Sequence, residues 1–156
     1  MTPVAIALGG NLGDREQVLR AAAAALAGAV ADLTLSSFYD TAPVGVGEQP
    51  TFLNAALTGN TALSAATLLE RLLDIERAFG RERPYPGAPR TLDLDLILYG
   101  DAIIDAAPSL IVPHPRFRER RFVLDPLAEI AGEWIDPVTG KTVAGLRREL
   151  LSRDAL

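Results

Sequence analysis

Residues 90–95 read Arg-Thr-Leu-Asp-Leu-Asp, and no other stretch of the chain concentrates so much possible chemistry. A strand turns successive side chains to opposite faces. Thr91, Asp93 and Asp95 would then share one face while Leu92, Leu94 and Leu96 fill the other. Neighbouring carboxylates repel, and burying them is costly unless positive charge compensates. Hard divalent cations such as Mg²⁺ take oxygen ligands and bridge protein carboxylates to substrate phosphates, which makes Asp93 and Asp95 candidate metal ligands. An Asp-x-Asp alone reads more readily as a solvated polar strand face. Arg90 directly upstream, with Arg77, Arg81 and Arg83 before it, tips the reading toward a phosphate site.

A second arginine cluster comprises Arg116, Arg118, Arg120 and Arg121, whereas lysine is confined to Lys141. The planar guanidinium suits bidentate phosphate contacts. In a chain of net charge −5, two such clusters point to a small polyanion. A nucleic-acid surface is usually basic overall, and no nucleic-acid partner is expected. Compositional bias would explain arginine replacing lysine but not the clustering. His114, the one histidine, could donate to a phosphate or pack a loop, and taken alone it favours packing.

The elements that would carry these residues follow from periodicity and punctuation. Residues 4–8 read as a buried strand, followed by the glycine-rich turn Gly9-Gly10-Asn11-Leu12-Gly13-Asp14. Asp14 and Gln17 have capping-box spacing, and Val18, Leu19, Ala22 and Leu26 recur at helical intervals. The turn lacks the Lys-Ser/Thr and glycine spacing of a phosphate loop, so it reads as structural. Residues 33–39 and 51–57 are strand candidates. In the latter, Phe52, Asn54 and Ala56 occupy one face and Leu53, Ala55 and Leu57 the other. Ser64 caps a helix with the apolar stripe Ala65, Leu68, Leu69, Leu72, Ile75 and Phe79, ended by Gly80. The segment 93–99 is the carboxylate strand, 102–104 would pair back on it as a hairpin, and 143–151 is a C-terminal helix. Segments 41–50 and 81–89 are Gly/Pro-rich loops with the composition of lids. Strand-helix-strand repeated twice, with a helical C-terminal half, fits an α+β ferredoxin-like sandwich: a single domain over 1–156, mostly antiparallel, with helices packed on the sheet.

At 156 residues, 49% hydrophobic and 22% charged, the chain is long enough for a real core and shows no sign of general disorder. It contains no cysteine, which excludes disulfides and thiolate metal sites and suits a reducing compartment. No signal-like segment opens the sequence, and no apolar run could span a membrane. The expectation is a cytoplasmic monomer with no membrane partner.

Together these segments resemble the 6-hydroxymethyl-7,8-dihydropterin pyrophosphokinases of folate biosynthesis. The resemblance rests on 7–14 (Ala-Leu-Gly-Gly-Asn-Leu-Gly-Asp), Ser36-Ser-Phe-Tyr39, 49–55 (Gln-Pro-Thr-Phe-Leu-Asn-Ala), Ile75-Glu76 with Gly80-Arg81, 89–95 (Pro-Arg-Thr-Leu-Asp-Leu-Asp), and Val112-Pro-His-Pro115 with Arg120 and Phe122. It implies pyrophosphoryl transfer from ATP to the pterin hydroxymethyl oxygen, releasing AMP. Asp93 and Asp95 match a pair that binds two Mg²⁺ ions, and Arg81 and Arg90 match arginines acting on the phosphates. Arg83, Leu96, Leu110, Ile111, His114 and Arg120 match further ATP contacts, so here His114 becomes a donor. Thr41, Ala42, Pro43, Val44, Phe52, Asn54 and Phe122 match the pterin site. Two aromatic faces would sandwich the flat ring, and the Asn54 amide suits its donor-and-acceptor edge. Glu76 reads as structural.

Several positions depart from the family pattern. Leu73 replaces a glutamine facing adenine, Ser109 and Ile111 replace an arginine and a threonine, and Pro115 replaces a tyrosine. The 84–89 loop is short and carries Tyr85 but no tryptophan. Two other classes compete: a pterin-binding paralogue without transferase activity, and a metal-dependent transferase of other nucleoside diphosphates. Retention of Asp93, Asp95, Arg81, Arg90 and His114 argues against the first. The second leaves Phe52, Asn54 and Phe122 without a role.

Overall fold

A nine-residue strand, β1 (Thr2–Gly10), forms the centre of the sheet. It is followed by α1 (Arg15–Leu26), β2 (Ala31–Leu35), β3 (Tyr39–Thr41), β4 (Phe52–Thr61), α2 (Ala65–Ala78) and β5 (Asp93–Tyr99). A small hairpin of β6 (Ile104–Ala106) and β7 (Leu110–Val112) then leads through a 3-10 turn (Phe117–Glu119) to α3 (Arg121–Ala131) and α4 (Val143–Asp154). The computed structural model describes residues 1–11, 13–41, 51–80 and 91–154. Most of the expected loops at 41–50 and 81–89 therefore lie outside the described residues.

The strand order is β2-β4-β1-β5, with β3 also pairing β4, and every pairing is antiparallel. This is the ferredoxin-like arrangement, with β2 and β3 sharing the second strand position. On one face, Val4, Ile6 and Leu8 of β1 join Leu53, Ala55, Leu57, Leu94 and Leu96 beneath α1 and α2. On the other, Ala5, Ala7, Ala56, Ile97 and Leu98 pack against α3 and α4. The C-terminal helices thus add a third layer to the expected sandwich.

Several boundaries differ from expectation, each for a local reason. Gly9 and Gly10 belong to β1 and not to a turn. A Cβ at Gly9 would stand 2.9 Å from Asn54 Oδ1, so glycine allows the strand to continue past that side chain. The strand expected at 33–39 is interrupted after Leu35. Ser36 donates its N–H to the Ala56 carbonyl, and its own hydroxyl accepts the Ala56 N–H at 2.8 Å, taking the place of a backbone acceptor. Thr91 precedes β5 and is not part of it. Residues 104–106 pair with β7, so the hairpin does not return onto β5. Helix α3 contains Pro126, which obscures its helical signal in the sequence.

Gly59 lies opposite Val4 on β4, beside the register shift between β2 and β4. An added Cβ there would meet Val30 and stand 2.5 Å from the Ala31 carbonyl oxygen. Overpacking of this kind costs about 2 kcal/mol. Gly59→Ala is expected to lower the urea-unfolding free energy by about that amount; an unchanged midpoint would show that the strand edge yields freely.

Candidate active site

Three strands meet in register on the α3-side face. Gly9 of β1 lies between Asn54 of β4 and Asp93 of β5, and in the next row Ala7 lies between Ala56 and Asp95. Directly opposed residues in a sheet project to the same face. Asn54 and Asp93 therefore flank a trough with no side chain at its centre, about two strand spacings or 10 Å across. Asn54 is buried, and its Nδ2 donates to Thr41 Oγ1 at 2.7 Å. Thr41 is in turn paired with Phe52. Of the expected pterin-side residues, Thr41, Phe52 and Asn54 are thus brought together on one bank, with Asp93 and Asp95 on the other.

The carboxylate strand is held from behind. Glu76 of α2 is buried, and its Oε2 accepts the Leu94 N–H at 2.7 Å, fixing the backbone between the two aspartates. Asp93 and Asp95 share a face as expected, with Leu94 and Leu96 in the opposite core. The regular alternation ends at Ile97, where Leu98 pairs with Ala5 and Leu96 with Ile6, leaving Ile97 unopposed as a bulge. The Ile97 carbonyl accepts the His114 N–H at 3.0 Å, which brings the imidazole beside the aspartates. His114 Nε2 lies 4.0 Å from Asp95 Oδ1.

His114 Nδ1 accepts the Arg116 N–H at 3.2 Å, so its proton resides on Nε2 and faces the carboxylate side. Burial pushes the imidazole below its ordinary pKa, and Arg120 and Arg116 lower it further against the opposing pull of Asp95. At neutral pH the ring is therefore uncharged, a single Nε2–H donor.

Beside it opens a cavity of about 250 Å³ lined by Leu69, Leu94, Asp95, Leu96, Pro108, Ser109, Leu110, Ile111, His114 and Pro115. Four of the expected ATP contacts, Leu96, Leu110, Ile111 and His114, meet there. Leu69 lines the cavity while Leu73, one turn further along α2, does not. Ser109 Oγ donates to the Ala106 carbonyl, so the wall's hydroxyl is already engaged.

The arginine clusters divide. Arg118 grips Asp136 through Nε and Nη2, Arg121 pairs with Asp125, and Arg77 pairs with Asp74, so these three serve protein carboxylates. Arg120 lies over the Phe122 ring with its guanidinium 5.4 Å from the centroid. Phe122, at the start of α3, keeps 40% of its surface exposed, as an aromatic platform awaiting a partner would. Arg81, Arg83, Arg90, Ala42, Pro43 and Val44 lie outside the described residues.

Sequence reasoning missed three anchoring groups. Arg15, the first residue of α1, binds Asp40 and Thr51. Glu129 of α3 accepts the Tyr39 hydroxyl at 2.6 Å and the Ser37 N–H at 3.0 Å. That bond pushes the Tyr39 phenol up to about 12. Asp136 is fully buried, reaching Arg118, Thr139 and the Val138 N–H. The spacing Asp136 to Thr139 in a Gly-ended turn was the only available signal. By contrast, Asp14 caps Gln17 as expected, so its own carboxylate takes an N–H at the α1 terminus.

These features describe an α+β enzyme fold with a cleft for a nucleotide beside a carboxylate pair. The family model for 7,8-dihydro-6-hydroxymethylpterin-pyrophosphokinase (HPPK) matches residues 5–132. A 2-amino-4-hydroxy-6-hydroxymethyldihydropteridine pyrophosphokinase of Synechocystis sp. is 46% identical over 144 residues, covering 90% of this chain and 72% of that protein. Its namesake in Bacillus subtilis is 50% identical over 127 residues, covering 80% and 75% respectively. A crystal structure of a Plasmodium falciparum HPPK-DHPS triple mutant matches in fold with a TM-score of 0.78 at 15% identity. That match covers 97% of this chain but only 44% of the longer one. The chain belongs to the hydroxymethyldihydropterin pyrophosphokinase family.

The buried Asp136 provides a pH test. Burial alone would raise its carboxyl, but Arg118, Thr139 and the Val138 N–H outweigh that and hold it below the usual carboxylate range. A lowered folded value adds stability above the unfolded pKa of about 4, and this is lost as pH falls through the folded value. Wild-type protein is therefore expected to lose stability below about pH 4 more steeply than Asp136→Asn. Parallel acid limbs in denaturant titrations would contradict this.

Proposed function

We infer that the trough and cavity on the α3-side face are where a pyrophosphoryl group passes from ATP to the hydroxymethyl oxygen of 6-hydroxymethyl-7,8-dihydropterin. The products are AMP and the pterin diphosphate, a step of tetrahydrofolate biosynthesis. The chain is an ATP-dependent diphosphotransferase, as its family membership states. The observation that carries the assignment of residues is the row Asn54–Gly9–Asp93, which puts an amide reader and a carboxylate on opposite sides of an open strand.

The pterin lies flat between Phe52 and Phe122, with its amide-and-amine edge read by Asn54 and by residues 41–44. Thr41 orients the Asn54 amide by accepting one of its hydrogens, leaving the remaining amide groups for the ring. The base of ATP occupies the apolar cavity along Leu96, Leu110 and Ile111, and His114 Nε2–H donates to a phosphate oxygen. Arg120, together with Arg81, Arg83 and Arg90, neutralises the phosphates. The last three are assigned from their position in the matched motifs. The hydroxymethyl oxygen forms its new bond to the β-phosphorus of ATP while the bridging bond to the α-phosphate breaks. Such transfers are governed chiefly by positioning and charge stabilisation.

Asp93 and Asp95 fit Mg²⁺: both are hard oxygen donors on one strand face, and the Asp95 side chain is 45% exposed. Among the described residues no cluster of three or more His, Cys, Asp or Glu could enclose a metal. Mg²⁺ typically binds one or two carboxylates and completes its shell with substrate phosphates and water. Two bound ions would supply charge neutralisation on the phosphates and hold attacking and leaving oxygens in line. The reading extends to one catalytic unit over residues 1–156, acting as a cytoplasmic monomer. Its support is the coverage of both sheet faces by helices, the scattered placement of large exposed apolar side chains among the described residues, and the absence of cysteine from the sequence. No described helix is long and apolar enough to cross a membrane.

The direct test is AMP formation from ATP, Mg²⁺ and the pterin. Asp95→Asn and Asp93→Asn are each expected to lower its rate by about a hundredfold or more with circular dichroism unchanged. Near-normal turnover by the folded variants would remove the carboxylates from the site.

Base selectivity gives a second test. The cavity wall is apolar and its serine is engaged, so discrimination falls to backbone groups, and apolar sites discriminate weakly. GTP is expected to support transfer at roughly 10- to 100-fold lower kcat/KM than ATP. Complete rejection of GTP in assays of GMP release would reveal a polar reader elsewhere.

A further inference from the structure

Strand β3 is three residues long and pairs only with β4, yet it carries Thr41, the acceptor that orients Asn54. Short edge strands are weakly held by their own ladder, so this one needs anchoring from outside the sheet. At its first residue the Tyr39 hydroxyl is bound by Glu129. At its second, Asp40 is held from α1 by Arg15 in a two-pronged ion pair, Nη1 to Oδ1 at 2.9 Å and Nη2 to Oδ2 at 3.1 Å. The same Nη1 also donates to the Thr51 carbonyl and to Thr51 Oγ1, both at 2.8 Å. One guanidinium therefore holds residues 40 and 51, the immediate neighbours of Thr41 and Phe52. The Arg15 side chain is 27% exposed, so the contacts are partly shielded from water. Arg15 holds Asp40 below the usual carboxylate range, keeping the pair charged throughout the neutral region.

We propose that Arg15 is a positioning residue for the pterin site, its guanidinium fixing the spacing between Thr41 and Phe52 by joining Asp40 to Thr51. This rests on the assignment of Thr41, Phe52 and Asn54 to the pterin. Arg15 touches no reacting atom. It acts through the backbone of its two partners. Arginine is needed because a planar fork can grip a carboxylate bidentately while a third hydrogen reaches a carbonyl, whereas a lysine ammonium offers only a point charge.

The substrate itself supplies an unusual readout. The pterin is uncharged at neutral pH, so salt has little direct effect on its capture, whereas a partly exposed ion pair is screened by salt. With ATP and Mg²⁺ saturating, the wild-type pterin KM is expected to rise about threefold between roughly 0.05 and 0.5 M salt. In Arg15→Met the KM should already be about tenfold higher and flat with salt, with kcat and the ATP KM within about threefold of wild type. Arg15→Lys should fall between the two. Asn54→Ala, run alongside, reports on the underlying assignment. If it raises the pterin KM and Arg15→Met does not, the positioning role is overturned while the pterin site stands. If Asn54→Ala leaves the pterin KM unchanged, the assignment fails and the proposal with it. A parallel rise of pterin and ATP KM in Arg15→Met would mean general loosening and would also overturn it.

Discussion

On the face of the sheet that looks toward α3, β1 offers only Ala5, Ala7 and Gly9, and this lack of bulk governs what its neighbours can do. The other face of the same strand bears Val4, Ile6 and Leu8, all buried under α1 and α2. One strand thus anchors a close-packed core with its odd-sized neighbours and leaves a hollow on its reverse. A single methyl group at Gly9 would collide with the Asn54 amide, so the width of the trough is set by the backbone of the central strand. Backbone is the least deformable part of a packed interior, and it is a suitable reference for a site that brings two substrates together.

Around that hollow, polar groups are held by partners that lie behind them. Glu76 reaches through the α2 layer to the backbone between the aspartates, Thr41 turns the Asn54 amide, and the Ile97 carbonyl holds His114. Each uses a hydrogen bond to limit freedom that would otherwise be lost on binding substrate, which is the advantage of preorganisation. The structure commits Arg77, Arg118 and Arg121 to protein carboxylates. Charge near the cleft is consequently selective: arginines of similar sequence context serve either the fold or the phosphates according to whether an aspartate lies within reach.

Much of this was legible in the sequence. Period-two alternation gave the carboxylate face of β5 and the Phe52–Asn54 face of β4, and Ser64 and Asp14 marked helix starts that the structure retains. The topology followed from element order. What stayed hidden depended on partners distant in the chain. Nothing near Arg118 announced Asp136, and nothing near Arg15 announced Asp40 and Thr51. The break at Ser36 arises because a hydroxyl can stand in for a backbone acceptor, a substitution that periodicity does not register. Helix α3 was obscured by Pro126, whose missing donor is tolerated while its ring is buried among the α3 contacts. The identity of the family rested on short motifs in order, which local physics alone would not have assembled.

The bulge at Ile97 divides β5 into two phases. Up to Leu96 the even-numbered residues enter the core beneath α1 and α2; beyond it, Ile97 and Leu98 both turn to the opposite core. An insertion or deletion of one residue between Asp95 and Leu98 would either cancel that phase change or double it, exposing leucines and separating the histidine anchor from the carboxylates. Length variation is therefore closed to this strand during divergence, while the turn after Tyr99, which answers to neither core, is free to grow or shrink. The strand's irregular residue acts as a spacing mark that evolution can copy but not move.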